Sequence, residues 1–291
     1  MTDAETPRSL ARLRWDRFVR NRGALVAGIF LALLGLAALF APWLTPYDPY
    51  TPSIQLVRKP PTLDHLLGTD GSGRDILTRL LFGARVSLSV GLIAVAIYIA
   101  IGTAIGSLAG YRRGILDAFL MRVTDTVMSF PALIIIIAVL PVIGAGAINI
   151  MVVLGLLGWP TAARMVRGQF LSLREREFIL AARTIGVRDA RIVSAHLLPN
   201  IAGPMLVLAS FGVAEAIIAE AGLSLLGLGV QPPEPSWGQM LSEATDVGTL
   251  LARPWMWMPP AAAIALTVLA INFVGDGLRD ALDPRAAVGR Q

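Results

Sequence analysis

REREFILAARTIGVRDARIVSAHLLPN, residues 174–200, is the longest charged interval between two strongly apolar segments of this chain. Arg174, Glu175, Arg176, Glu177, Arg183, Arg188, Asp189 and Arg191 put eight charges into its first eighteen residues. One charge at the centre of a bilayer costs about 2.5–3.5 kcal/mol on insertion scales. Eight exclude the block from lipid, so it lies in water or against another protein. Phe178, Ala181, Ala182 and Ile185 recur at the i, i+3, i+4, i+7 spacing of one helix face. Gly186 follows where a left-handed C-terminal cap is usual. Asp189 is placed to cap a second short helix with Ile192, Val193, His196 and Leu197 on one face, and Pro199 is expected to stop it. The pattern predicts helix, glycine turn, helix, with Ala181 and Ala182 facing outward where a partner could approach closely. Spacing alone is equally compatible with an amphipathic loop packed on its own membrane helices.

The flanking segments decide the class. The chain has 291 residues, 55% apolar and only 15% charged, against about 25% charged in soluble domains. Several apolar runs reach the ~20 residues that cross a hydrocarbon core of ~30 Å. The expected fold class is an all-α polytopic membrane protein with six transmembrane helices. There are no cysteines, which removes disulfide, thiol and cysteine-metal chemistry. His65 and His196 are too few and too far apart in sequence to predict a metal site.

Residues 1–23 are polar and basic, and the run at 24–44 is expected to be the first transmembrane helix, with Trp43 at its far interface. At about 21 residues it is longer than a signal-peptide core, and no clear small-residue cleavage site follows. Residues 45–85 form a Pro-rich segment containing HLLGTDGSGRDILTRLLFGAR (65–85). A Walker A loop needs a lysine after its glycines. Lys59, the single lysine of the chain, is followed by Pro60 and Pro61, so no nucleotide loop of that kind is present. The glycines are expected to make turns leading into a short amphipathic surface helix over 74–85.

Residues 86–278 hold five further spans. These are 86–110, with Gly91, Gly102, Gly106 and Gly110 spaced for close packing, 124–142, kinked at Pro131, 147–163, 201–223 and 259–278. Residues 224–257, rich in Gly, Pro and Trp, read as a re-entrant or capping segment, with Trp255 and Trp257 as an interfacial belt. A short tail spans 279–291. Of the 25 basic residues, nineteen fall on the face that carries both termini and the 174–200 block, and six on the other. The positive-inside rule makes the richer face cytoplasmic. The net charge of +5 is thus a topology signal; no aromatic-basic stacking patch accompanies it, and nucleic acid is not an expected partner.

LAARTIGVRDARIVSAHLLPN (180–200) resembles the EAA loop of ABC-type permeases: Ala181-Ala182, then Gly186, then His196-Leu197-Leu198-Pro199. HLLGTDGSGRDILTRLLFGAR (65–85), AEAGLSLLGLGVQPPEPSWGQML (219–241) and GDGLRDALDPR (275–285) are similar to one branch, the dipeptide, oligopeptide and nickel permease subunits of the DppC/OppC type. The resemblance covers about residues 12–285. It implies an ABC type I importer permease fold in a bacterial or archaeal cell (inner) membrane. It implies a coupling helix at 182–189 docked on an ATPase subunit, with Ala181, Ala182, Arg183, Gly186, Val187, Arg188, Asp189, Leu198 and Pro199 as the docking residues. The small alanine face and Gly186 would permit helix-in-groove contact. It further implies a heterodimer with a second homologous permease subunit, two ATPase subunits, and an extracytoplasmic solute-binding protein meeting the 45–85 and 224–257 face. ATP and magnesium would be used by the partners; no cofactor is implied for this chain, and no catalysis. Leu180 stands where the family pattern has glutamate, so a contact assigned to that glutamate is not carried over; Glu177 lies one turn earlier.

Glu215 and Glu220 fall inside the fifth span, and intramembrane carboxylates are functional candidates by default. Five residues apart, they do not share a face; both are candidates for the translocation path or its gate, and the competing reading for Glu220 is a satisfied inter-helix hydrogen bond to the partner subunit. Asp125, Asp276 and Asp280 sit near span ends. An ion-coupled secondary transporter is the rival function, which would favour inverted repeats and broken helices at the midplane. An intramembrane enzyme would need a catalytic pair or metal cluster within the spans.

Overall fold

The computed structural model describes residues 18–282; Arg8, Arg12, Arg14, Arg17, Arg285 and Arg290, counted above toward topology, lie outside them. The chain runs through α1 (Arg22–Leu39), α2 (Ala41–Leu44), α3 (Ile76–Arg112), α4 (Gly114–Met128), α5 (Ala132–Ile143), α6 (Ala147–Leu173), α7 (Glu177–Thr184), α8 (Asp189–Leu225), α9 (Trp237–Ser242), α10 (Val247–Ala252) and α11 (Pro254–Leu282). Among the described residues, five helices are long and apolar enough to cross a membrane, or six if α4 and α5 count as one bent span.

The two 37-residue helices, α3 and α8, set the frame. Each is about 55 Å long and projects beyond a ~30 Å hydrocarbon core. The expected surface helix over 74–85 is not separate. Nothing in the sequence from Ile76 to Arg112 breaks the hydrogen-bond ladder, and Asp75 starts it by accepting from the Thr78 amide at 2.8 Å. Its first turns are covered by the 224–257 segment instead of lying on the membrane surface, and Ile76, Arg79, Gly83 and Ala84 are buried.

α3 packs along α6 through the predicted small residues. A Cβ at Gly102 would stand 2.4 Å from the Ala162 Cβ, one at Gly106 2.4 Å from the Ala163 carbonyl oxygen, and one at Gly110 2.7 Å from the Phe170 Cβ. Gly155 of α6 returns the contact beneath Ile97. Gly91 instead meets Val213 and Ile217 of α8. α8 packs on α3 and α11, and α1 lies outside against α11 and α3. Arg85 of α3 donates to the carbonyls of Ala38 and Leu39, holding the end of α1.

Three helix ends differ from the sequence reading. Pro131 does more than kink its span: α4 and α5 meet at a 77° bend. Proline supplies no N–H, and the Ser129 and Phe130 amides fold back onto Asp125, Thr126 and Val127 carbonyls, which terminates α4. α6 runs on to Leu173, ten residues past the expected end, carrying Arg164 and Arg167 with it; these pair with Asp125 and Asp117 of α4. Pro199 does not stop a short helix. The six residues Ile192–Leu197 form a π segment whose wider turn separates the proline ring from the carbonyl four residues back. The Asn200 side chain donates to the His196 carbonyl at 2.6 Å, and the helix continues to Leu225.

A leucine at Gly106 would force α3 off α6. Overpacking of this kind costs about 1–3 kcal/mol, so Gly106→Leu should lower the thermal midpoint of the detergent-solubilised protein by several degrees. Gly35→Leu, at a position with nothing within 4 Å, should leave it unchanged, and equal midpoints for the two variants would refute the seam.

Candidate functional site

On the arginine-rich face, α7 and its turn form a distinct element. The last turn closes with the Val187 amide on the Ala182 carbonyl (3.0 Å) and the Gly186 amide on Arg183 (3.0 Å), the paired bonds of a Schellman cap. Gly186 sits at φ +80° with open space around its α-carbon. Arg188 has the extended geometry of an N-cap; Asp189, expected to be that cap, is the first helical residue. Its carboxylate accepts from the Tyr111 hydroxyl at the end of α3. Tyr111 is a hub: the Arg183 guanidinium lies 5.2 Å over its ring, and Arg174 donates to its carbonyl at 2.9 Å. Tyr111 stands one residue past the span expected over 86–110.

The orientation of α7 also departs from expectation. Ala182 faces inward with Ile179, onto a core of Val166, Phe170, Ile192, Leu197 and Ile201. Ala181 stays outward, and with Phe178, Leu180 and Ile185 it forms an exposed apolar strip. Ile185 is 80% exposed. Phe178 and Ala182, placed on one face by their spacing, are split because the adjoining π segment offers its apolar residues to the Ile179–Ala182 edge. Leu198 is partly buried and Pro199 exposed.

The opposite face is closed by a buried ionic network that the sequence did not reveal. Arg79, fully buried, donates to Asp70, to Glu243 (2.6 Å) and to Gln239 (2.6 Å). Arg74 bridges Asp70 (2.8 Å) and Glu243 (2.7 Å). His65 pairs with Asp75 at 3.0 Å. Gly73, at φ +78°, passes so close to Ser53 that a Cβ would overlap its carbonyl oxygen at 1.9 Å, as expected of a turn glycine. The 45–75 loop is thereby clamped to α9 and the start of α3. Trp255 tucks beneath Gly68, and the Trp257 indole donates to the Leu250 carbonyl at 3.2 Å, so both serve this cap and not a lipid-facing belt alone.

The two span carboxylates point in different directions. Glu220 is fully buried and accepts from the hydroxyls of Ser224 (2.8 Å), Ser236 (2.7 Å) and, more distantly, Ser87 (3.4 Å). Ser236 caps α9, and the Trp237 amide donates to Ser87 at 3.1 Å. Trp237 and Ser224, to which sequence assigned no role, are thus parts of the lock between α3, α8 and α9. Glu215 is exposed on a cavity of about 300 Å³ shared by α3, α5, α6 and α8.

A family model described as the binding-protein-dependent transport system inner membrane component matches residues 102–288. The chain belongs to this family. A second model, the N-terminal TM domain of oligopeptide transport permease C, matches residues 9–61. The permease is 42% identical over 272 residues to the glutathione transport system permease protein of Pectobacterium atrosepticum, spanning 93% of this chain and 90% of that one. It is 43% identical, over 93% of this chain and 90% of the relative, to a Brucella suis protein with a provisional peptide-permease name. Among solved structures, an inward-facing MetNI methionine ABC transporter chain superposes with a TM-score of 0.58 at 21% identity, over 70% of the permease and 96% of that chain. The permease is therefore the non-catalytic membrane subunit of an ABC-type importer, a multi-pass component of a complex with ATPase and binding-protein parts.

Removing one member of a buried charge network costs about 3–5 kcal/mol, because its partners stay buried and unpaired. Arg79→Met should therefore release the 45–75 loop, read as faster limited proteolysis within that loop and a lower thermal midpoint. Wild-type proteolysis would show that the network does not hold the cap.

Proposed function

We propose that this permease moves peptide-class solutes into the cell as one half of a heterodimer with a second homologous permease subunit. Two ATPase subunits bind its arginine-rich face, and a solute-binding protein delivers cargo to the face closed by Arg79 and Glu243. The substrate class follows the relatives with glutathione- and peptide-transport names. Both termini lie in the cytoplasm in this arrangement, in accord with the count of basic residues on that side.

The observation that carries the coupling role is the exposed strip on α7 beside the Gly186 turn. Phe178, Leu180, Ala181 and Ile185 are apolar yet turned away from the protein, in a segment whose charges keep it out of lipid. Such a surface is suited to a groove on a partner. Arg183, Val187, Arg188 and Asp189 complete the element, and Leu198 and Pro199 join it to α8. Because Asp189 and Arg183 both engage Tyr111, displacement of α7 pulls on α3 and α8 together. Nucleotide-driven closure of the ATPases shifts the transport equilibrium only through such a difference in contacts between states. In the same reading Glu215 lines the translocation path, while Glu220, through its three serines, holds the gate segment 224–242 against the spans.

The test is the turn. A β-branched residue at Gly186 is strained by about 1–2 kcal/mol in the left-handed region. In proteoliposomes containing the whole transporter, Gly186→Val should retain assembly and ATP hydrolysis while labelled-peptide uptake falls at least tenfold. Uptake per ATP equal to wild type would reject the coupling assignment.

A further inference from the structure

We infer that Glu215 is a specificity residue that receives the protonated amino group of the solute during passage, an inference that rests on the peptide-import reading. Glu215 lies inside the apolar stretch of α8, ten residues before its end at Leu225, about 15 Å along the helix axis. A carboxylate at that depth is expensive when it faces lipid. Glu220, one and a half turns further on, meets this cost with three hydroxyl groups. Glu215 has no hydrogen bond and no ion pair among the described residues, and it is exposed. It needs a cation or water, supplied from outside this chain.

The cavity tells which. Its walls are otherwise apolar or small: Ile136 of α5, Leu157 and Gly158 of α6, Gly212 and Ala219 of α8. Tyr98, the other polar side chain on the wall, has its hydroxyl turned to the Leu208 carbonyl at 3.3 Å. The Tyr98 side chain fills the notches left by Gly158 and Gly212, and a Cβ on Gly158 would come within 2.9 Å of its ring. The site thus presents one negative charge in an apolar bay of about 300 Å³, broad enough for an amine with a small apolar side chain beside it. Anionic groups are disfavoured there, and neutral amides gain only the hydrogen bond. A free α-ammonium group gains both the charge and the hydrogen bond.

The experiment uses the complete transporter in proteoliposomes with saturating binding protein. Uptake of a dipeptide with a free amino terminus is compared with uptake of its N-acetylated form, each at concentrations that fill the binding protein. Glu215→Gln should cut the maximal rate for the free-amine peptide about tenfold, leave the acetylated peptide unaffected, and leave ATPase stimulation by loaded binding protein intact. Glu215→Asp should restore most of the lost rate. An unchanged preference in Glu215→Gln overturns the inference while leaving peptide import standing. Loss of the second permease subunit on purification of Glu215→Gln overturns it too, since the carboxylate would then be pairing with that subunit. Wild-type transporter that imports neither peptide overturns the peptide reading and this inference with it.

Discussion

Gly102, Gly106 and Gly110 bring α3 to backbone contact with α6, and the placement of both ends of the molecule depends on that seam. Helices in lipid have no hydrophobic drive to associate, so close packing of small residues must hold them. With α3 fixed in this way, Tyr111 stands at one end and Arg79 at the other, on a single uninterrupted helix. Tyr111 gathers Asp189, Arg183 and Arg174; Arg79 gathers Asp70, Gln239 and Glu243. The α7 element with its Gly186 turn and the cap over the opposite face are therefore attached to the same rigid body.

The polar groups divide into those that lock and those that remain available. Arg79 and Glu220 are both fully buried; the terminal nitrogens of Arg79 and the carboxylate of Glu220 bind groups from several elements, while Arg79 Nε has no partner among the described residues. Their partners join the 45–75 loop, α3, α8 and α9 into one closed lid. Glu215 and the α7 strip are the opposite case, a charge and an apolar surface for which this chain provides no counterpart among its described residues. A subunit of a larger machine is expected to show this division, since the unmatched groups are where other molecules complete it.

Much of this was legible in the sequence for physical reasons. Apolar length located the long helices, and Gly186 marked the left-handed turn because few other residues tolerate it. Glycine spacing on α3 announced the seam. What escaped was set by partners far away in the chain. Nothing near Arg79 signals that Glu243, 164 residues on, will neutralise it, and the 74–85 stretch consequently looked like a surface helix. Periodicity gave α7 the correct helix but the wrong inner edge, because the π segment that receives Ala182 does not follow a 3.6-residue repeat. Pro199 looked like a stop for the same reason.

The π segment at Ile192–Leu197 has a consequence for direction. Each residue added to an α-helix turns the faces beyond it by about 100°, and a π turn takes up one residue more than an α turn. The azimuth at which Glu215 meets the cavity and Glu220 meets its serines is thus set about twenty residues earlier, at the junction with α7 and its turn. Shortening that turn by one residue would rotate the whole of Leu198–Leu225, carrying Glu215 off its bay and Glu220 out of its cage together. The compass of this span is held at its arginine-rich end.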